Sequence, residues 1–128
     1  MLPAKLFLPL AFIGLAGASP QTPISSGTGD VLYFTPGYGA CGWRNTSDQA
    51  VGSVSLTTYE SWPGNSICGK NLTITDPANN ETVWVIIADN FVEDDQAGPH
   101  DVQVPKKVFQ KMAPVTAGVI PNANWSIS

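Results

Sequence analysis

The sequence is poor in charge. Asp, Glu, Lys and Arg make up 12% of its 128 residues, about half the usual share, so long helices with a solvated charged face have little to be built from. One histidine and two cysteines are too few for a Cys/His zinc site, which takes about four such ligands, and neither a metal nor a cofactor is expected. Basic residues are scarce as well. Six Lys and Arg against ten Asp and Glu leave a net charge of -4, which argues against a phosphate-binding surface and against nucleic acid as a partner. Long hydrophobic runs are also missing: the one apolar stretch, at the start of the chain, has about 13 apolar residues against the roughly 20 that span a bilayer.

That stretch has another reading. Residues 1–5 are a short, positively charged start, residues 6–15 are apolar apart from Pro9, and Ala16-Gly17-Ala18 places small residues where a signal peptidase reads. A signal peptide over 1–18, cut after Ala18, predicts a secreted protein with no membrane segment in its mature form and, without Lys5, one unit more negative charge. Export places Cys41 and Cys68 where thiols oxidise, and with only two present one internal bridge in a monomer is the simplest pairing. Two free thiols or a disulfide-linked dimer are the alternatives. A catalytic cysteine would have only His100 as its partner. Asn45-Thr46-Ser47, Asn71-Leu72-Thr73, Asn80-Glu81-Thr82 and Asn124-Trp125-Ser126 are four N-glycosylation sequons, where chance would supply about one.

What is plentiful is Gly, at 12 residues, and Pro, at 11, which favours short elements and many turns in one all-β domain. Residues 19–29, with Pro20, Pro23 and a Ser/Gly/Thr run, are expected to be a flexible leading segment, with the domain filling 30–128. Strands are expected at 31–34 and 51–55, with one helical turn over 57–62 stopped by Pro63-Gly64. Residues 70–75 and 82–88 flank Asp76-Pro77-Ala78-Asn79-Asn80 as a hairpin. The run 82–88 is apolar on both faces and reads as a central strand covered on both sides, ending at Asp89. A strand over 101–104 precedes a short helix over 105–112, with Pro105 at its first position. Val108, Phe109 and Met112 would face inward and Lys106, Lys107 and Lys111 outward. Residues 119–120 and 124–128 supply the last strands.

The order of these pieces resembles a known family. Tyr33-Phe34 ahead of Pro36-Gly37-Tyr38-Gly39-Ala40-Cys41-Gly42-Trp43, then Ile67-Cys68-Gly69-Lys70, Ile87-Ala88-Asp89, Asp101-Val102-Gln103-Val104-Pro105 with Phe109, and finally Gly118 and Trp125, are similar to the rare-lipoprotein-A-like double-psi β-barrel. Small secreted fungal proteins, plant barwins and the first domain of expansins share that fold. The resemblance implies an all-β, six-stranded double-psi β-barrel with short helices in its connections, and a Cys41 to Cys68 bridge. Two departures matter. Relatives carry an Asp-Arg-Cys-x-x-Cys segment after the central strand, whereas here Asp89 is followed by Asn90-Phe91-Val92, so a second disulfide is absent and the loop is freer. The aspartate of catalytic members aligns on Gln103 when Phe109 is the anchor, while Asp101 stands two residues earlier on the same face.

Acid-assisted glycoside cleavage needs a protonated carboxyl near the leaving oxygen and usually a second carboxylate about 5 to 9.5 Å away. Asp89 and Asp101 are the weak candidates for that pair; Gln103 can hydrogen-bond a sugar but cannot act as an acid. The bland alternative is that Asp89 caps loop backbone and Asp101 is a solvated strand residue. Glu93-Asp94-Asp95 matches no calcium-loop spacing and reads as a solvated acidic loop. His100 beside Asp101 has no serine in a nucleophile-elbow context and is discounted as a triad. Tyr38 and Trp43, in a Gly-rich loop, are the aromatics most suited to stack on sugar rings, whereas Trp84 and Trp125, on strands, are expected in the core. The expected function is non-catalytic binding of extracellular or cell-wall polysaccharide through Tyr38, Trp43, Asp89, Asp101 and Gln103. The alternatives are a glycan-cleaving enzyme using Asp89 and Asp101, of hydrolase or lytic transglycosylase type, and a module binding extracellular protein, such as a protease inhibitor or host-directed effector.

Overall fold

The computed structural model describes residues 21–128; the signal peptide expected over 1–18 lies outside them. Six strands close into one barrel, in the order β1-β5-β2-β4-β3-β6. They are β1 (Ser26–Tyr33), β2 (Val51–Ser55), β3 (Asn71–Asp76), β4 (Glu81–Phe91), β5 (Val102–Val104) and β6 (Ile120–Ile127). Strands β1 and β5 pair in parallel, as do β2 and β4, while the remaining neighbours are antiparallel. This is the six-stranded double-psi barrel that the sequence predicts. Closure leaves no sheet edge to template aggregation.

The barrel forms because alternation along each strand divides it into an inside and an outside. Leu72 and Ile74 of β3, Val83, Val85 and Ile87 of β4, Val102 and Val104 of β5, and Ala123, Trp125 and Ile127 of β6 are buried together. Ile67 and Phe109 come from the connections and are also fully buried, with Phe109 edge-on to Tyr33 at 5.4 Å. Short helices lie between strands as expected: α1 (Leu56–Glu60) follows β2 and α2 (Lys106–Phe109) follows β5. Val108, Phe109 and Met112 face inward and Lys106, Lys107 and Lys111 face solvent.

The structure moves several expected boundaries. Strand β1 starts at Ser26, so residues 26–29 are paired strand rather than flexible leader. Gly27, Thr28 and Gly29 lie opposite Trp125, Asn124 and Ala123 of β6. Glycine is what allows this: a Cβ on Gly27 would meet the Trp125 ring at 2.6 Å and one on Gly29 the His100 carbonyl oxygen at 2.1 Å. Upstream, Ile24 is also tied down, its N–H donating to Ser61 Oγ and its carbonyl accepting from Trp62 Nε1. Strand β4 continues past Asp89 to Phe91, because β2 keeps pairing beside it as far as Ser55 opposite Phe91. The expected final pair of strands is the single strand β6, which passes through Pro121 and a left-handed Asn122. Helix α2 is one turn, with Pro105 as its N-cap rather than inside its first turn.

Trp84 is the largest correction. It is 61% exposed, whereas Trp125 is buried as expected, its Nε1–H donating to the His100 carbonyl at 2.8 Å. A sandwiched strand has two covered faces, but a small closed barrel has one interior, and the outer face of β4 is covered only where a connection crosses it. At Trp84 the connections, represented by Ala50, Val108 and Lys111, only border the ring and leave most of it uncovered among the described residues. No helix among the described residues is long and apolar enough to cross a membrane.

Candidate functional site

Between β1 and β2 the chain makes a compact loop that carries both candidate aromatics. Tyr38 and Arg44 form an isolated antiparallel bridge, closed by Gly39 N–H to the Trp43 carbonyl at 3.1 Å and Asn45 N–H to the Gly37 carbonyl at 2.8 Å. Gly42, at φ 85, makes the reversal that a residue with a Cβ resists. The Arg44 guanidinium lies 5.5 Å over the Tyr38 ring. Tyr38 is 71% and Trp43 43% exposed, so Trp43 is on the surface beside Gly69 and outside the core.

Three ties hold this loop to the barrel. Cys41 and Cys68 are disulfide-bonded with their Cα atoms 5.7 Å apart; Cys41 N–H donates to the Ala88 carbonyl at 3.2 Å; and Ala40 N–H donates to Asp89 Oδ1 at 2.9 Å. The same Asp89 oxygen accepts from Asn90 N–H at 2.8 Å, so Asp89 caps loop backbone. Gly39 sits so close to Asp89 that a Cβ there would lie 3.0 Å from its Cγ. Small residues in the Gly-rich segment are therefore what lets the aromatic loop rest on the end of β4.

Strand register then brings Asp89 and Gln103 near one another. Asp89 is opposite Ser53, Ser53 is opposite Gln103, and Gln103 is opposite Leu32, which makes one cross-strand row from β4 through β2 and β5 to β1. Ser53 was not singled out from sequence. It is fully buried, and among the described residues its Oγ is a buried side-chain polar atom with no protein hydrogen-bond partner. No spacing signal marks it, because only the β2 pairing on both sides puts it there.

Asp101 is drawn elsewhere. Its Oδ1 accepts from Asp30 N–H at 2.8 Å and its Oδ2 from Gly98 N–H at 2.7 Å. It therefore clamps the approach to β5 onto β1, and it is neither free nor simply solvated. The acidic loop is likewise structural. Glu93 Oε1 accepts from Thr57 N–H at 3.0 Å, in the first turn of α1, and hydrogen bonding from Thr57, its side chain foremost and its N–H besides, holds the Glu93 carboxyl below its ordinary range. Asp94 Oδ1 accepts from Gln96 and Ala97 N–H in a local turn. Among the described residues no group of three His, Cys, Asp or Glu is placed to hold a metal ion.

The structure thus ties the loop that carries Tyr38 and Trp43 to Asp89, and sets Asp89 in one cross-strand row with the buried Ser53 and with Gln103, while Asp101 is committed to backbone. A separate depression of about 540 Å³ lies between the β3–β4 turn and the start of β6, walled by Pro77, Ala78, Ala113, Val119 and Pro121 among others. It contains none of the residues singled out from sequence. Of the four sequon asparagines, Asn71, Asn80 and Asn124 are exposed, while Asn45 is half-buried with its Nδ2 donating to Gln49 Oε1 at 3.1 Å.

No family model and no curated protein sequence matches the chain. Solved structures do. A Streptomyces papain inhibitor is similar with a TM-score of 0.65 at 24% identity, over 83% of this chain and 97% of its own. A mutant Clavibacter michiganensis expansin in complex with cellohexaose has a TM-score of 0.61 at 20% identity, over 80% of this chain, and the apo form of that expansin has 0.61 at 19%. The match spans about half of the expansin. At these identities the likeness is one of fold.

Proposed function

We propose that this protein is a secreted, non-catalytic binder of extracellular polysaccharide, and that it holds its ligand along Tyr38, Trp43, Asp89 and Gln103. The observation that carries this reading is the pair of exposed aromatics on a loop fastened to the barrel by a disulfide and by Asp89. A rigid aromatic platform with an amide and a carboxylate to hand suits stacking on the C–H faces of sugar rings with hydroxyls caught alongside. Cellohexaose bound to the expansin of the same fold supports it. Cleavage is not proposed, because both oxygens of Asp101 accept backbone bonds and Gln103 supplies no acid where a second carboxyl is needed.

A protein-binding reading has its own support, since the papain inhibitor corresponds to this fold over almost its whole length, unlike the two-part expansin. One pair of assays separates them. The protein is incubated with insoluble cellulose, chitin and mixed wall polysaccharide, with bound protein and released reducing ends both measured, and in parallel with papain at rising protein concentration. Retention on a polysaccharide without sugar release supports the proposal; stoichiometric loss of papain activity with no retention replaces it with an inhibitor; reducing-end release makes it an enzyme.

A further inference from the structure

Residues i and i+2 of a strand share a face, so a sequon lying along a strand shows both its asparagine and its hydroxyl residue on the same side. Asn71 and Thr73 are placed so on β3, and Asn124 and Ser126 on β6; the third sequon, Asn80 to Thr82, runs from the hairpin turn into β4. Register assembles them. One cross-strand row reads Ser26, Ser126, Thr73, Trp84, and the next reads Thr28, Asn124, Thr75, Thr82. Neither row contains a charge. This face, on β1, β6, β3 and β4, faces away from β2 and β5, around which the proposed polysaccharide site is built.

Trp84 is the anomaly in it: a large indole 61% exposed among hydroxyls and amides. Asn71, Thr73, Trp84 and Ser128 line one open pocket of about 260 Å³. The backbone under Asn71 is fixed by a reciprocal pair with Ser128, each N–H donating to the other's carbonyl at 2.9 Å, so anything attached to Asn71 starts from a rigid point.

We propose that Asn71 is a glycosylation site and that the first sugar rings of its N-linked glycan lie over the indole of Trp84. In the transfer, Asn71 Nδ2 gives up a proton and bonds to C1 of the first sugar, while the C1–O bond to a lipid diphosphate donor breaks and the lipid diphosphate leaves with the electron pair. The modification precedes folding, so the fold decides only what the glycan meets afterwards. At Asn71 it meets an uncovered aromatic face. Asn45 is the contrast, since its amide already donates to Gln49 within the aromatic loop, and a glycan there would leave it a single N–H for that bond.

The test uses the full chain secreted from a eukaryotic host, with peptide mapping before and after enzymatic deglycosylation and acrylamide quenching of tryptophan fluorescence. Asn71 is expected to be occupied. Aromatic stacking of the usual strength favours the stacked state by roughly two- to tenfold, so the Trp84-dependent part of the quenching should fall by about that factor. Asn71→Gln and Thr73→Ala, which empty the same sequon by different routes, should both restore it, and Trp84→Phe should erase the difference between glycosylated and unglycosylated protein. An unmodified Asn71 overturns the proposal. So does an occupied Asn71 whose removal leaves the quenching of Trp84 unchanged.

Discussion

Asp101 and Trp43 show how one side chain's surroundings set its consequence. Asp101 satisfies two backbone donors from different segments. Asp101→Ala should therefore destabilise the fold by about 1 to 3 kcal/mol, the cost of leaving such donors unmet, without altering ligand affinity in the protein that remains folded. Chemical denaturation alongside binding checks this; a variant as stable as wild type would mean that water replaces the carboxylate at both donors. Trp43 should behave the opposite way. It is surface-exposed, lies beside Gly69 and stands outside the core cluster, so Trp43→Ala should leave the melting temperature nearly unchanged while weakening polysaccharide binding roughly three- to tenfold, the worth of one stacking contact. A folded Trp43→Ala protein that binds as wild type removes the aromatic loop from the site.

At the scale of elements, α1 is too short to stand on its own propensity and depends on its caps. Ser55 Oγ accepts from Thr58 N–H at 3.1 Å, and Glu93 reaches across from the acidic loop to Thr57 N–H. Hydrogen bonding from Thr57, its side chain foremost and its N–H besides, lowers the Glu93 pKa from its ordinary value, so the folded state prefers the ionised carboxylate. That contribution is fully present above the ordinary carboxylate range and is lost as pH falls through the lowered value. Glu93→Gln keeps an acceptor but cannot titrate. It should flatten the loss of stability between about pH 5 and about pH 2 relative to wild type, as followed by circular dichroism; parallel curves would show that other carboxylates carry the acid transition. The contact of β1 with the segment ahead of β5 is equally specific. A Cβ on Gly29 would lie 2.1 Å from the His100 carbonyl oxygen, where backbone must yield, so Gly29→Ala should cost more than a typical overpacked site, whose range is about 1 to 3 kcal/mol. Thermal melts of Gly29→Ala against the exposed Gly37→Ala, which meets nothing within 4 Å, give the comparison.

For the whole molecule, the Cys41 to Cys68 bridge joins the functional loop to the connection between α1 and β3. Closing a separation of 27 residues contributes about 3 to 4 kcal/mol in the chain-entropy account. The Cys41→Ser, Cys68→Ser double variant should lose about that much stability. It should also bind polysaccharide more weakly even where it is folded, because the loop of Tyr38 and Trp43 would then lack its covalent tie and keep the Asp89 and Ala88 bonds and the exposed Asp48–Lys107 pair. Thiol titration of the native protein should find no free cysteine. Equal affinity in the reduced and oxidised proteins would show that the loop keeps its shape without the bridge.

The sequence by itself determined which residues turn inward on the antiparallel strands, since alternation with Val, Ile and Leu is a local property. It determined the β3–β4 hairpin, since Asp76 to Asn80 form their own turn, as Ala78 N–H donating to Asp76 Oδ1 shows. It determined the cysteine pairing through parity and a recognisable order of short motifs. It also placed Tyr38 and Trp43 on the surface, because a loop with three glycines has no interior to offer them. Tertiary structure alone decided the rest. Trp125 alternates with the polar Asn124 and Ser126, whereas Trp84 stands between Val83 and Val85 in a run apolar on both faces, and only barrel closure, which provides one inside, sends Trp84 to solvent. Asp89 and Asp101 look equivalent in sequence, yet Asp89 meets the aromatic loop while Asp101 is consumed by the backbone of β1 and of the preceding turn. Asp89 and Gln103 share a cross-strand row solely because β2 lies between β4 and β5, a neighbour relation made by long-range pairing that no local window contains.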